Sequence, residues 1–287
     1  MMEMLTTKIK ELYPQALKSQ APLSSEEFLN LYLEEQWLCI PKKDLTLKEQ
    51  ALLKLWLKEQ KRQVKVEPWQ AYLSELSSQV PLAEGEVRFI LYQVQVGVDF
   101  KFTDWATAFA EMFTVPVLAN VMLTPNSGVI VEKRANYNYN VADFKGIWET
   151  LALDFDAKGQ IYVGEFNDVA ILKNDLRQVF NEEQQIFKAS QRGGVSTLAT
   201  TALRYFGKER AQKSLVLRHL KQQISEQKNL RELIVALYQA QGNMTLAAKK
   251  LYVHRNTLQY QVEKFEKSSG LNLKNMDDLV LCYLVVL

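Results

Sequence analysis

Between Asn243 and Lys267 the chain gathers the side-chain types that read nucleic acid. Arg255, Asn256, Thr257, Gln259, Tyr260, Gln261 and Lys264 crowd the first turns of one predicted helix. Arginine, asparagine and glutamine make paired hydrogen bonds to base edges in a major groove, while threonine, tyrosine and lysine reach phosphates. Just upstream, Thr245 is a candidate N-cap and phosphate anchor, and His254 or Asn256 stands where the second helix must be capped. Free N–H groups at both helix starts favour phosphate as well.

These side chains need a frame to hold them. Ala247, Ala248, Leu251, Val253, Leu258 and Val262 fall at positions that pack together if one helix runs from about Thr245 to Leu251 and a second from about Arg255 to Lys267. The small pair Ala247 and Ala248 lets two steeply crossing helices approach. Upstream, Leu230, Leu233, Ile234 and Leu237 form the stripe of another helix, with Asn229 and Glu232 at capping-box spacing and Gly242 as its stop. Downstream, Gly270 closes the second helix and Asn275 to Leu287 reads as a strongly apolar final helix. Spacing alone also fits an ordinary helical hairpin with a solvated polar face.

The run GNMTLAAKKLYVHRNTLQYQVEKFEKSSG, followed by LNLKNMDDLVLCYLVVL, resembles the C-terminal helix-turn-helix of the PucR and sugar-diacid-regulator (CdaR) family of bacterial transcription factors. The family pattern falls on Gly242, Asn243, Ala247, Ala248, Val253, His254, Arg255, Asn256, Thr257 and Leu258, with Tyr260 two residues beyond. The family usually has Arg after that Tyr, whereas this chain has Gln261, which removes one expected cation and weakens the salt dependence of binding. A looser likeness links the segment to the DNA-binding end of the Fis nucleoid protein. The resemblance implies double-stranded DNA as partner and regulation by a small-molecule effector in relatives with sensory regions, while the small surface that one such module buries argues for a homodimer on two half-sites.

Composition sets the wider limits. With 287 residues, 47% hydrophobic and 24% charged, the chain has length for two globular domains, and a formal net charge of +2 requires any nucleic-acid footprint to be local. Arg204, Lys208, Arg210, Lys213, Arg218 and Lys221 oppose only Glu209 just before the DNA-reading segment, a run that reads as a basic helical linker with a solvated face over direct phosphate contact. The N-terminus has no apolar signal region and the apolar run Leu279 to Leu287 is too short to span a bilayer, so a cytoplasmic protein is expected.

Residues 1–80 read as a helical region. Ser24 or Ser25 would cap a helix with Phe28, Leu31, Tyr32 and Trp37 on its apolar side, and Thr46 with Glu49 opens a second helix carrying Leu52, Leu53 and Trp56. Between them, WLCIP fits a short strand. From Glu86 the texture changes. VRFILYQVQV reads as a strand, Thr103 as the cap of an amphipathic helix, and Thr124 to Ser127 as a hairpin turn. A helix around Val141 to Leu153, a strand at Gln160 to Phe166 and a long helix from about Asp168 to Gln191 follow. That order predicts an α+β domain over 85–192 with a mainly antiparallel sheet. It is similar to the degenerate GGDEF-like domain preceding the helix-turn-helix in PucR and CdaR relatives, where a Val-Gly pair, here Val163 and Gly164, ends the last strand. Residues 193–227 form the basic linker and 228–287 the helix-turn-helix.

Enzymatic chemistry finds little support. A cyclase of GGDEF-like type places a Gly-Gly pair and two acidic residues at the central hairpin, which here reads MLTPNSGVIVEK with Gly128 and Glu132. Gly193 and Gly194 lack the strand and the Gly-Lys-Ser/Thr ending of a phosphate loop and read as a joint between domains. Two histidines, His219 and His254, leave few candidates for a triad, and Cys39 and Cys282 read as core thiols. No cofactor and no metal site is expected. The function implied is a multidomain α+β transcriptional regulator without catalysis; the alternative is an interaction or scaffold protein whose helix-turn-helix has lost DNA affinity.

Overall fold

The computed structural model describes residues 3–19, 23, 27–33, 36–60, 67–190 and 193–287. Two compact units emerge, Met1–Leu198 and Ala199–Leu287.

The first unit opens with α1 (Glu3–Leu12) and continues through β1 (Leu17–Ser19), β2 (Phe28–Leu33), β3 (Gln36–Pro41) and α2 (Leu47–Gln60). The three strands form an antiparallel sheet in the order β1-β3-β2, with Leu31 opposite Leu38 and Asn30 opposite Cys39. Phe28, Leu31 and Trp37 therefore lie in strands and not on the helix that their spacing suggests. Leu29, Leu31, Leu38 and Ile40 are buried with Ile9 and Ala16, so burial on both strands outweighs a helical reading of short apolar runs. The expected strand WLCIP is β3, and its Cys39 is a buried free thiol. The predicted cap at Ser24 or Ser25 and the polar run from Lys61 to Gln63 lie outside the described residues, as do the side chains of α2 from Lys54, Trp56 among them. Thr46 and Glu49 do form a reciprocal cap, the Glu49 carboxylate accepting from the Thr46 backbone N–H at 2.7 Å.

After α3 (Pro68–Leu73) come β4 (Glu86–Gln95), α4 (Phe102–Glu111), β5 (Val117–Thr124), β6 (Ser127–Lys133), α5 (Val141–Asp154) and β7 (Lys158–Val163). The strands run β5-β6-β4-β7, with each neighbour antiparallel, which is the split βαβ, ferredoxin-like arrangement. Central β4 is buried from Val87 to Tyr92 because both of its faces are covered. On one face Ile90, Tyr92, Ile130 and Ile161 pack against Trp105 and Phe109 of α4 and Phe144 and Leu151 of α5. The other face receives α6 (Leu176–Ser190), whose Phe180 meets Phe89 edge-on at 5.1 Å.

Several boundaries differ from the sequence expectation. Thr103 lies inside α4, and Lys101 occupies its N-cap without a side-chain bond. The helix predicted from Asp168 begins at Leu176, because Asn167–Asp168 pair with Glu86 and Val87 as the short strand β8 and the Asp168 carboxylate caps the turn at Ala170. Gly194 is not in a loose joint: β9 (Gly194–Thr197) pairs in parallel with β7 and adds an edge to the sheet, with Ser196 buried.

The second unit is helical. It holds most of α7 (Leu198–Ala202), a π-helical turn Leu203–Gly207, α8 (Lys208–Lys213), α9 (Arg218–Glu226), α10 (Leu230–Gln239), α11 (Met244–Lys250), α12 (Arg255–Ser269) and α13 (Met276–Val286). One core joins Leu220 and Ile224 of α9 with Leu233, Ile234 and Leu237 of α10, Ala247 and Ala248 of α11, Leu258, Val262 and Phe265 of α12, and Leu279 and Cys282 of α13. The basic segment is thereby folded into this core through α9. No helix among the described residues is long and apolar enough to cross a membrane.

Candidate nucleic-acid interface

The helix-turn-helix is built from α11 and α12. Asn243 caps α11, its side-chain oxygen accepting from the N–H groups of Thr245 and Leu246 at 3.0 and 3.1 Å. Thr245 is thus an exposed residue of the first turn and not the cap expected of it. Capping falls to Asn243 because its backbone is extended just where the helix begins. Ala247 and Ala248 are buried, as the close helix crossing requires.

α12 is set by its own cap. His254 Nδ1 accepts from the Asn256 N–H at 3.2 Å, and the His254 carbonyl accepts from Thr257 and Leu258, which starts the helix at Arg255. Gly270, at φ +76°, ends it by donating its N–H to Glu266 at 2.8 Å in a left-handed conformation that costs glycine little. Leu258, Val262 and Phe265 form a fully buried stripe. Helical periodicity then sends Asn256, Tyr260, Glu263 and Lys267 to the opposite, exposed side.

The predicted reading residues divide accordingly. Arg255, Asn256, Thr257, Tyr260 and Lys264 are exposed, as is His254, while Gln259 and Gln261 are half-buried on the flanks of the apolar stripe. Gln261 therefore sits at the edge of the outward face, so the cation it replaces would stand beside that face and not at its centre. Gln259 donates to the Glu263 carboxylate one turn later. Val253, expected in the core, is 37% exposed, because the turn carries it past the last buried position of α11. The expected capping box at Asn229 and Glu232 is absent: Asn229 is left-handed at φ +64° and its side chain makes no capping bond.

Residue type alone overlooked four neighbours. Lys249 and Lys250 are exposed in the last turn of α11, Tyr252 is exposed in the turn between the helices, and Glu263 lies on the outward stripe of α12. The spacing of Asn256, Tyr260, Glu263 and Lys267 was the signal that would have found the last of these. A shallow cleft of about 270 Å³ lies between α10 and α11, lined by Arg231, Glu232, Val235, Gln239, Lys250 and Leu251. Lys250 Nζ donates to Gln239 there at 3.3 Å.

The terminal helix closes the unit. Asn275 caps α13 by accepting from Asp277 and Asp278, and Leu279, Cys282, Val285 and Val286 are buried in the unit's own core, with Tyr283 stacked on Tyr238 at 3.7 Å. Packing on its own helix-turn-helix accounts for the apolar face of this helix, and Cys282 is a free buried thiol whose burial pushes its pKa up to about 12. Among the described residues no group of His, Cys, Asp and Glu side chains is placed to hold a metal ion.

Comparison with known proteins bears on this unit most directly. A "Leucine-rich protein" of Streptococcus dysgalactiae subsp. equisimilis is 27% identical over 98% of this chain and 99% of its own length. The uncharacterized protein YxkF of Bacillus subtilis (strain 168) is 23% identical over 96% of each chain. The solved structure of a regulator of polyketide synthase expression from Bifidobacterium adolescentis aligns with 82% of this chain and 91% of its own at 10% identity and a TM-score of 0.30, too loosely to carry an argument. The family model of the PucR C-terminal helix-turn-helix domain matches residues 230–287, the span from α10 through α13. This C-terminal segment belongs to the PucR-type helix-turn-helix family.

Proposed function

We propose that this chain is a DNA-binding transcriptional regulator that seats α12 in the major groove of double-stranded DNA. The observation that carries the reading is the division of α12 itself. One stripe, Leu258, Val262 and Phe265, is locked in the core, while Arg255, Asn256, Thr257 and Tyr260 stand exposed at the end of the helix that enters a groove first. In this reading Arg255, Asn256, Thr257, Gln259 and Tyr260 meet bases or phosphates, and Thr245, His254 and Lys264 anchor the backbone, with Gln261 at the margin. One such module covers little DNA, which favours a homodimer on two half-sites.

The first unit serves regulation in this proposal, with a small metabolite as effector, and its βαββαβ sheet is taken as a degenerate GGDEF-like domain. The central hairpin does not suit cyclase chemistry. Glu132, the acid nearest the central hairpin, is fully buried and held by Arg88 at 2.8 Å and by Asn138 at 2.7 Å. Gly128 makes room for Tyr92, whose hydroxyl would lie 2.3 Å from an added Cβ. Neither residue is free to serve a phosphate or a metal ion.

The test is DNA selection with the purified full chain at two salt concentrations, followed by binding of an Arg255→Ala variant. Recovery of a repeated half-site, and loss of specific binding by the variant with an unchanged thermal melt, is the expected result. No recovery at low salt would sink the reading and favour an interaction protein, for which the exposed Glu263 and the uncharged Gln261 are the observations in favour.

A further inference from the structure

We propose that Tyr252, in the turn between α11 and α12, is a DNA-backbone contact, its ring lying against a sugar and its phenol donating to a phosphate. The inference rests on the DNA-binding reading of α12 and extends its footprint to the turn. Tyr252 is 96% exposed, the most open aromatic residue of the second unit, so packing does not account for a large side chain there. Its backbone is left-handed, at φ +55°, a conformation that bulky residues rarely adopt and that glycine or asparagine would take with less strain. The turn is secured by backbone bonds alone, from Tyr252 N–H to Lys249 and from Val253 N–H to Ala248 at 3.2 and 3.1 Å, and any residue could make them. The fold therefore asks nothing of the phenol ring.

The surroundings match the charge of a phosphodiester backbone. Lys249 and Lys250 precede the turn and Arg255 follows it, all exposed. His254, two residues beyond Tyr252, caps the very helix end that approaches the groove. A rigid aromatic with a polar tip suits such a position, because few rotatable bonds are frozen on contact.

The test uses the full chain with a selected duplex and an unrelated duplex over a series of salt concentrations, and the variants Tyr252→Gly, Tyr252→Asn and Tyr252→Phe. The Gly and Asn variants should melt no lower than the unsubstituted chain yet bind both duplexes about tenfold more weakly, the scale of a lost hydrogen bond to a charged group. The slope of affinity against salt should be unchanged, since no cation is removed. Tyr252→Phe should lose only part of the affinity. Unchanged binding by the Gly and Asn variants overturns the proposal, as does a loss confined to the selected duplex, which would make Tyr252 a base reader. Lower melting of both variants alongside the binding loss would assign the residue to the fold and overturn it too. If the unsubstituted chain binds neither duplex, the DNA reading fails and takes this one with it.

Discussion

Replacing Glu183 with glutamine should raise the stability of the first unit in a strongly pH-dependent way. Glu183 lies on α6 and is only 6% exposed, its carboxyl beneath the end of β7, where Gly164 leaves the space: a Cβ at Gly164 would fall 2.6 Å from both carboxyl oxygens. Oε2 has no hydrogen-bond partner among the described residues. Burial is the main cause that pushes its pKa up from 4.5 to about 8; a backbone hydrogen bond from Glu165 opposes it, and the nearby Glu165 and Glu182 charges add to it. The folded state thus holds this proton more tightly than the unfolded chain. Stability is greatest below about pH 4.5 and falls as pH rises toward 8, by roughly 5 kcal/mol if the whole shift is expressed. Glutamine keeps the shape and does not titrate. The two proteins should melt within a few degrees of each other at pH 5, and by pH 8.5 the unsubstituted chain should melt about 10 °C lower, at roughly 2–4 °C per kcal/mol for a unit of this size. Tryptophan fluorescence is the assay, because Trp37, Trp56, Trp69, Trp105 and Trp148 all belong to the first unit and the second has none. Parallel melting curves for the two proteins from pH 5 to 8.5 would refute the reasoning, since they would mean that the carboxyl is charged or solvated when folded.

Three further outcomes follow from the same structure. Arg88→Ala leaves Glu132 buried beside Asn138 with its guanidinium partner gone, and should cost about 3–5 kcal/mol in a denaturant melt; an Arg88→Met, Glu132→Leu double variant should cost less. Asn243→Ala should destabilise the second unit by about 1 kcal/mol through loss of the α11 cap, measured by circular dichroism, whereas Thr245→Ala should leave stability nearly unchanged. Gly164→Ala should destabilise the first unit by about 1–3 kcal/mol, and an added Glu183→Ala should restore only part of the loss, because the Phe89 carbonyl also lies 2.7 Å from the new methyl.

The sequence by itself determined the elements whose signals are local. The apolar stripe of Leu258 and Val262, the stops at Gly242 and Gly270, the hairpin at Thr124 to Ser127 and the reciprocal cap of Thr46 and Glu49 all depend on neighbours within a turn or two, so residue type and spacing carry them. The exposed polar end of α12 was legible for the same reason. Elsewhere, only the tertiary structure decided. Phe28, Leu31 and Trp37 suit either a helix or a strand, and the three-stranded pairing of β1, β2 and β3 supplies the partners that choose. Gly194 looks like a joint until β7 is present to pair with it, and Asp168 looks helical until Glu86 draws it into β8. Glu132 and Glu183 are ordinary acids in sequence; that one is paired with Arg88 and the other lies under Gly164 depends on residues distant in the chain, which folding brings within hydrogen-bonding or van der Waals distance.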